Sequence, residues 1–155
     1  QLIKPNCVAA DLRVSSKKQL FQDMARLLVD TKTLGTDAVA VRDIVSAAME
    51  RERLGSTGVG SGVALPHARI DGVDRVYAAF ARLETPLDYD SIDERPVDLV
   101  ALLIAPSDAG GEHLRALAQI SRRLRREDVR SRLRVAPTAE SLYVSLIEDV
   151  DAASL

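Results

Sequence analysis

Residues 97–104 carry one charge, Asp98, among seven apolar residues. A run of that kind suits a strand covered on both faces, because a strand with one wet side would alternate. Helices must therefore lie above and below it. Pro106 ends the run. A second strand is expected over 76–83, where Val76, Ala78, Phe80 and Arg82 alternate with Tyr77, Ala79, Ala81 and Leu83. Most of 84–98 reads as solvated loop, since it holds Pro86, Pro96 and six acids.

The covering helices leave their own marks. Ser16-x-x-Gln19 is a capping box, and Leu20, Met24, Leu27 and Leu28 recur at helical spacing, so a helix begins at Ser16 and Gly35 is expected to end it. Asp37 is expected to cap a second helix, with Val41, Ile44, Val45 and Ala48 on its apolar face and Arg51 in its last turn. A cation there also suits the negative end of the helix dipole. A third helix follows the turn at 107–111, with Glu112 and His113 in its first turn and Leu114, Leu117, Ala118, Ile120 and Leu124 facing the core. Thr138 caps a last helix running to about Asp149.

Strands alternating with helices give the fold class α/β, as a sandwich. At 155 residues, without repeat or linker, the chain reads as a single domain over 1–155. A net charge of −2 exerts no global pull on nucleic acid or anionic membrane. Arg115, Arg122, Arg123, Arg125, Arg126, Arg130, Arg132 and Arg134 read as a solvated helix face or a dock for an acidic partner. Three Tyr and two Phe offer few stacking platforms, so a nucleic acid is not the expected partner. Cys7 alone makes no internal disulfide, and two histidines supply no zinc-type ligand set. No apolar stretch approaches the ~20 residues that span a bilayer. A cytoplasmic protein without metal, cofactor or membrane insertion is the expectation.

Chemistry concentrates in 54–68. Gly55, Gly58, Gly60 and Gly62 fall within eight residues and permit positive φ and close approach of another group. The apolar run Val63-Ala64-Leu65 then stops at Pro66, which is expected to present His67 at a strand end. A neutral imidazole offers a lone pair on one ring nitrogen while an acceptor holds the other N–H, and that lone pair can attack a phosphoryl group. The backbone N–H groups of Gly58, Gly60, Ser61 and Gly62 form a candidate cradle for phosphate oxygens, with Arg51 and Arg53 near in sequence to add a guanidinium fork. Ser56 and Thr57 either donate hydroxyls to that phosphate or stabilise the turn. On residue types alone, a tight turn with a merely exposed histidine is an equal reading. Nucleotide motifs do not fit: there is no Gly-Lys-Ser/Thr, Gly58-x-Gly60-x-Gly62 departs from Gly-x-Gly-x-x-Gly, and no nucleophile elbow occurs.

The segment Arg51-Glu52-x-Leu54-Gly55-Ser56-Thr57-Gly58-x-Gly60-x-Gly62-x-Ala64-x-Pro66-His67 resembles the phosphorylation-site signature of enzyme IIA, the fructose/mannitol-type component of the bacterial phosphoenolpyruvate-dependent phosphotransferase system. Pro96-Val97-Asp98-Leu99, Ala105-Pro106 and Glu112-His113-Leu114 follow in the order seen in its nitrogen-regulatory branch. Ser61 stands where many members carry Asn, and Ala68 where Gly is common. The resemblance covers nearly the whole chain. It implies a three-layer sandwich with a mixed sheet between helices. It also implies that His67 is phosphorylated by a small HPr-like histidine phosphocarrier, with phosphoenolpyruvate as the original donor, and that His113 and Arg51 share the site. Phosphorylation state is then implied to regulate other proteins.

Two other readings stand beside it. One is a sugar-specific IIA that hands phosphate to a IIB domain, against which the end of the chain at Leu155 without a further domain is expected to count. The other is a binding module of the same fold, as in anion exchangers, and the intact Pro66-His67 argues against it. Ligands of open sheets sit beyond strand ends, so strands finishing at Leu65 and Ala105 are expected to bring His67 and His113 into one crevice.

Overall fold

A computed structural model describes residues 2–148. In chain order these form β1 (Ile3–Leu12), α1 (Lys17–Val29), α2 (Val41–Arg53), β2 (Gly58–Gly60), β3 (Val63–Ala64), β4 (His67–Ile70), β5 (Tyr77–Leu87), β6 (Val97–Pro106), α3 (Gly111–Arg125), α4 (Glu127–Val135) and α5 (Ala139–Ile147). The strands join in one mixed sheet, ordered β1-β5-β6-β3-β2, with β4 also paired to β6. β1 runs parallel to β5, β5 antiparallel to β6, and β3 and β4 both parallel to β6.

The central strand sorts its side chains by parity. Val100, Leu102 and Ile104 join Leu20, Phe21, Met24, Ile44 and Ala48 of α1 and α2 in one core, while Leu99, Ala101 and Leu103 meet Ile120, Leu124, Leu133 and Leu142 of α3, α4 and α5 in the other. β5 does the same, sending Ala79 and Ala81 to the first core and Ala78 and Phe80 to the second. A period of two on a strand covered on both sides produces this three-layer arrangement. The residues named on β6 are almost wholly buried. Each large side chain removed from water there contributes about 1.5–3 kcal/mol before entropy is counted.

Helix boundaries follow local hydrogen bonding. Ser16 accepts the Gln19 N–H at 3.1 Å, and the Gln19 carboxamide reaches back to the Ser15 N–H at 2.9 Å. The helix closes at Val29 and not at Gly35, because the Thr31 hydroxyl takes the Leu27 carbonyl at 2.6 Å and Lys32 adopts a φ of 61°. Asp37 does not cap the second helix. Ala40 occupies the N-cap, its N–H bonded to Asp43 at 2.9 Å, while Asp37 faces Lys32 on the surface. The expected apolar face is correct, with Ile44, Val45 and Ala48 buried and Arg51 in the last turn.

Three further departures matter. The N-terminal residues form edge strand β1, which the hydrophobic pattern conceals because Pro5 and an irregular register interrupt its alternation; an edge strand tolerates both. The arginine-rich stretch after α3 breaks into a separate helix, α4. In α3 the buried face is His113, Ala116, Ile120 and Leu124, whereas Leu114 is 62% exposed and Ala118 also faces water. The helix is thus rotated from the expected register so that His113 points inward. The last helix is capped by Thr138 as expected, accepting the Ser141 N–H at 3.1 Å, and its expected end at Asp149 lies outside the described residues. No helix among the described residues is long and apolar enough to cross a membrane.

Candidate functional site

His67 opens β4 rather than closing a strand. Pro66 has no N–H to donate, which interrupts the edge between β3 and β4, yet its carbonyl still accepts the Leu103 N–H at 3.0 Å and keeps the chain against β6. His67 then pairs with Leu103 in parallel register. Leu65 lies two residues back with its carbonyl turned to the imidazole.

That carbonyl sets the tautomer. His67 Nδ1 lies 2.8 Å from the Leu65 oxygen, which can only accept, so Nδ1 carries the proton. The Arg51 Nε–H points at His67 Nε2 from 3.4 Å, and a guanidinium only donates, so Nε2 holds the lone pair. Arg51 is itself steadied by an Nη1–H donated to the Gly55 carbonyl at 2.8 Å. The half-buried ring is thus held as the Nδ1–H tautomer with Nε2 facing a cation.

His113 arrives from the first turn of α3. Its ring centroid is 5.4 Å from that of His67, tilted by 58°. Its Nδ1 is buried without a hydrogen-bond partner, an uncommon state for a polar atom. Burial, then the neighbouring His67 and Arg69, hold its pKa below the ordinary imidazole value, so it is neutral near pH 7. His67, His113 and Arg51 therefore share one crevice at the C-terminal end of β6, a cavity of about 580 Å³.

The glycine hairpin is elsewhere. Gly62 accepts the N–H groups of Asp98 and Leu99, at the start of β6, whereas His67 pairs with Leu103. Five residues of strand separate Asp98 from Leu103, roughly 16 Å. The hairpin's polar groups are also occupied. Ser56 donates to the Tyr89 carbonyl at 2.9 Å and accepts the Gly58 N–H at 3.1 Å. Thr57 donates to the Glu52 carboxylate and lies 3.0 Å from the Tyr89 hydroxyl. The Ser61 N–H goes to Asp93 at 2.9 Å, and the Ser61 carbonyl accepts from Arg134 at 2.6 Å.

The glycines serve packing. A Cβ at Gly58 would stand 2.3 Å from Ser91 Oγ, and one at Gly62, whose φ is +77°, would stand 2.4 Å from Arg134 Nη2. Ser56, Thr57, Gly58, Gly60, Ser61 and Gly62 thus do not line the cavity that holds His67, although the Thr57 carbonyl accepts the Leu65 N–H at 3.0 Å, two residues from it. Their anchoring still reaches the crevice, because Glu52, bonded to Thr57 and to Lys17 at 3.0 Å, follows Arg51 directly in α2.

Arg69 lines the same cavity and was not singled out by the sequence pattern. The signal was available: on a strand, residue 69 shares the face of residue 67. Exposed Leu54 and Leu114 form an apolar rim. A larger groove of about 870 Å³ between β1, α3 and α5 holds arginines over an apolar floor, whereas both histidines line the smaller one. Several arginines of the run are structural. Arg123 donates to carbonyls at the end of α5, Arg130 to Leu124 and Arg125 at the end of α3, and Arg134 to Asp98.

Comparison with known proteins places this mixed α/β sandwich among phosphotransferase-system IIA domains. The family described as "Phosphoenolpyruvate-dependent sugar phosphotransferase system, EIIA 2" matches residues 1–149, and the chain belongs to it. Within that family the chain is most like the nitrogen-regulatory branch. It is 41% identical over 142 residues to a nitrogen regulatory protein of Bradyrhizobium diazoefficiens, covering 92% of this chain and 90% of the relative. It is 38% identical over 154 residues to one from Pseudomonas aeruginosa, covering 96% and 94%. The crystal structure of nitrogen regulatory protein IIA-Ntr from Neisseria meningitidis superposes with a TM-score of 0.84 at 33% identity, covering 94% of this chain and 96% of that one.

Proposed function

We propose that this chain is a phosphocarrier that takes a phosphoryl group on His67 Nε2 and signals through its phosphorylation state. The observation that carries this is the pair of contacts on one ring, Leu65 holding Nδ1–H and Arg51 facing the Nε2 lone pair. The donor is an HPr-like protein phosphorylated on a histidine, and phosphoenolpyruvate is the original source. The lone pair of Nε2 forms the new N–P bond as the donor's P–N bond breaks, and that electron pair remains on the donor's ring nitrogen. The moving unit is formally PO₃⁻, so the donor ring returns to neutral. His67 keeps its Nδ1 proton, and the Leu65 carbonyl stabilises the positive charge the ring acquires. Arg51 offsets negative charge on the oxygens during transfer.

Output by altered binding follows from charge. The bound group adds roughly −1.5 to −2 charges at the cavity mouth, enough to repel or recruit a protein seated on the Leu54 and Leu114 rim. The test is incubation with phosphoenolpyruvate and the two upstream phosphotransferases, followed by intact mass. One added phosphoryl group, acid-labile and alkali-stable, is expected in the wild type and none in His67→Ala. Equal labelling of both would overturn the assignment. Rapid onward transfer to a fructose or mannitol IIB domain, with the same partners captured by wild type, His67→Ala and His67→Asp, would move the function to sugar uptake.

A further inference from the structure

We infer that Arg69 is the second phosphoryl-binding residue of this site, joining Arg51 on the oxygens of the group carried by His67. The inference rests on the phosphoacceptor reading of His67. Strand geometry supplies the placement: Ala68 and Ile70 are buried at 6% and 7%, so His67 and Arg69 share the other, open face of β4. Both line the cavity that also receives His113 and Arg51.

Charge supplies the reason. Among the described residues neither Arg51 nor Arg69 is in an ion pair, unlike Arg13, Arg53, Arg82, Arg126, Arg132 and Arg134. Glu50 is the acid that lines the cavity, and it is drawn off by Arg53 at 2.6 Å. Two guanidinium charges thus face a space whose one carboxylate is already paired to Arg53. A phosphoryl group carries up to two negative charges, which matches them.

Arg51 by itself leaves oxygens uncovered. One of its arms is committed to the Gly55 carbonyl, and its Nε points at the lone pair that phosphorus must take. When the N–P bond forms, that Nε–H keeps its proton and donates its hydrogen bond to one phosphoryl oxygen instead. Two oxygens then remain, and Arg69 brings an unspent fork of N–H donors to them. His113, with its unpartnered Nδ1, stands beside them as a neutral group.

The experiment compares wild type, Arg69→Gln and Arg69→Lys after phosphorylation, reading the ³¹P resonance of the phosphohistidine against pH and the transfer equilibrium with the phosphorylated donor. Arg69→Gln should raise the pH at which the phosphoryl group takes its last proton, and should shift the equilibrium about five- to tenfold toward the donor, a charge-assisted contact discounted for solvent exposure. Arg69→Lys should restore most of both, because the charge is kept and only the fork is lost. A purely structural role would leave the phosphorus titration unmoved. If wild type is phosphorylated and Arg69→Gln matches it in both readouts, Arg69 is not a ligand while His67 remains the acceptor. If wild type takes no phosphoryl group, the acceptor reading falls and this one with it.

Discussion

The two ends of β6 are built from the same sequence segment and treat their polar groups in opposite ways. At the Val97 end, the hairpin of Ser56 to Gly62 engages its hydroxyls, an N–H and a carbonyl with Tyr89, Glu52, Asp93 and Arg134. At the Pro106 end, the crevice leaves a lone pair on His67, an unpartnered nitrogen on His113 and two arginines without carboxylates. Satisfied networks rigidify, whereas unsatisfied groups hold binding capacity in reserve. The hairpin's polar groups are therefore spent on the fold while those of the crevice are not, although a glycine-rich loop beside a histidine looks like one phosphate site.

The comparison is broken most severely at His67. His67→Ala should abolish phosphorylation while leaving the melting temperature near wild type, since the ring is half-exposed and its loss opens no core cavity. Residual labelling detected by intact mass would place the acceptor elsewhere. Next comes Arg51→Ala, which removes the donor aimed at the reacting nitrogen and should raise the transfer barrier by about 2–4 kcal/mol. Quench-flow transfer from the phosphorylated donor reads that value, and an unchanged rate would leave Arg51 as a helix-end cation only.

The hairpin should respond in the other currency, stability. Gly58→Ala forces a Cβ to 2.9 Å from Ser91 Cβ and 3.0 Å from its Cα, a backbone that cannot swing aside. The expected cost is about 1–3 kcal/mol, the range for overpacking a closed site. Urea unfolding measures it, and the folded fraction should transfer phosphate at the wild-type rate. A variant that stays stable but stops transferring would return the hairpin to the phosphate site.

What the sequence made legible follows the same division. The central run 97–104 and the alternation in β5 announced the layers, because burial on two faces leaves a strong apolar signal. Arg51, His67 and His113 were legible through their motif, and the sheet does bring them together. The role of the glycines was not, since positive φ and close approach serve packing against Ser91 and Arg134 as well as they serve an anion. The register of α3 departs from its expectation for a related reason: a leucine pattern places Leu114 inside, but a buried histidine with a cavity to face takes the inward position. Arg69 carries no apolar signature, and its spacing of two from His67 on one strand is the mark the sequence offers for it.

The smallest expected effect separates the two ends by pH. His113 is 5% exposed, and burial, His67 and Arg69 depress its pKa below the value near 6.5 that it regains on unfolding. Between those two values the unfolded chain binds a proton that the folded chain refuses. Stability is therefore complete above the unfolded value and declines as pH falls toward the folded one. A single proton limits the slope to about 1.4 kcal/mol per pH unit. His113→Gln should flatten this part of the profile, while Gly58→Ala lowers the whole curve and keeps its shape, because no titrating group is changed. Urea midpoints at about pH 7.5 and about pH 5.5 suffice, since the carboxylates contribute equally to all three chains. Parallel profiles for wild type and His113→Gln would mean that His113 accepts its proton in the crevice as readily as in water, and the neutral second histidine would have to be given up.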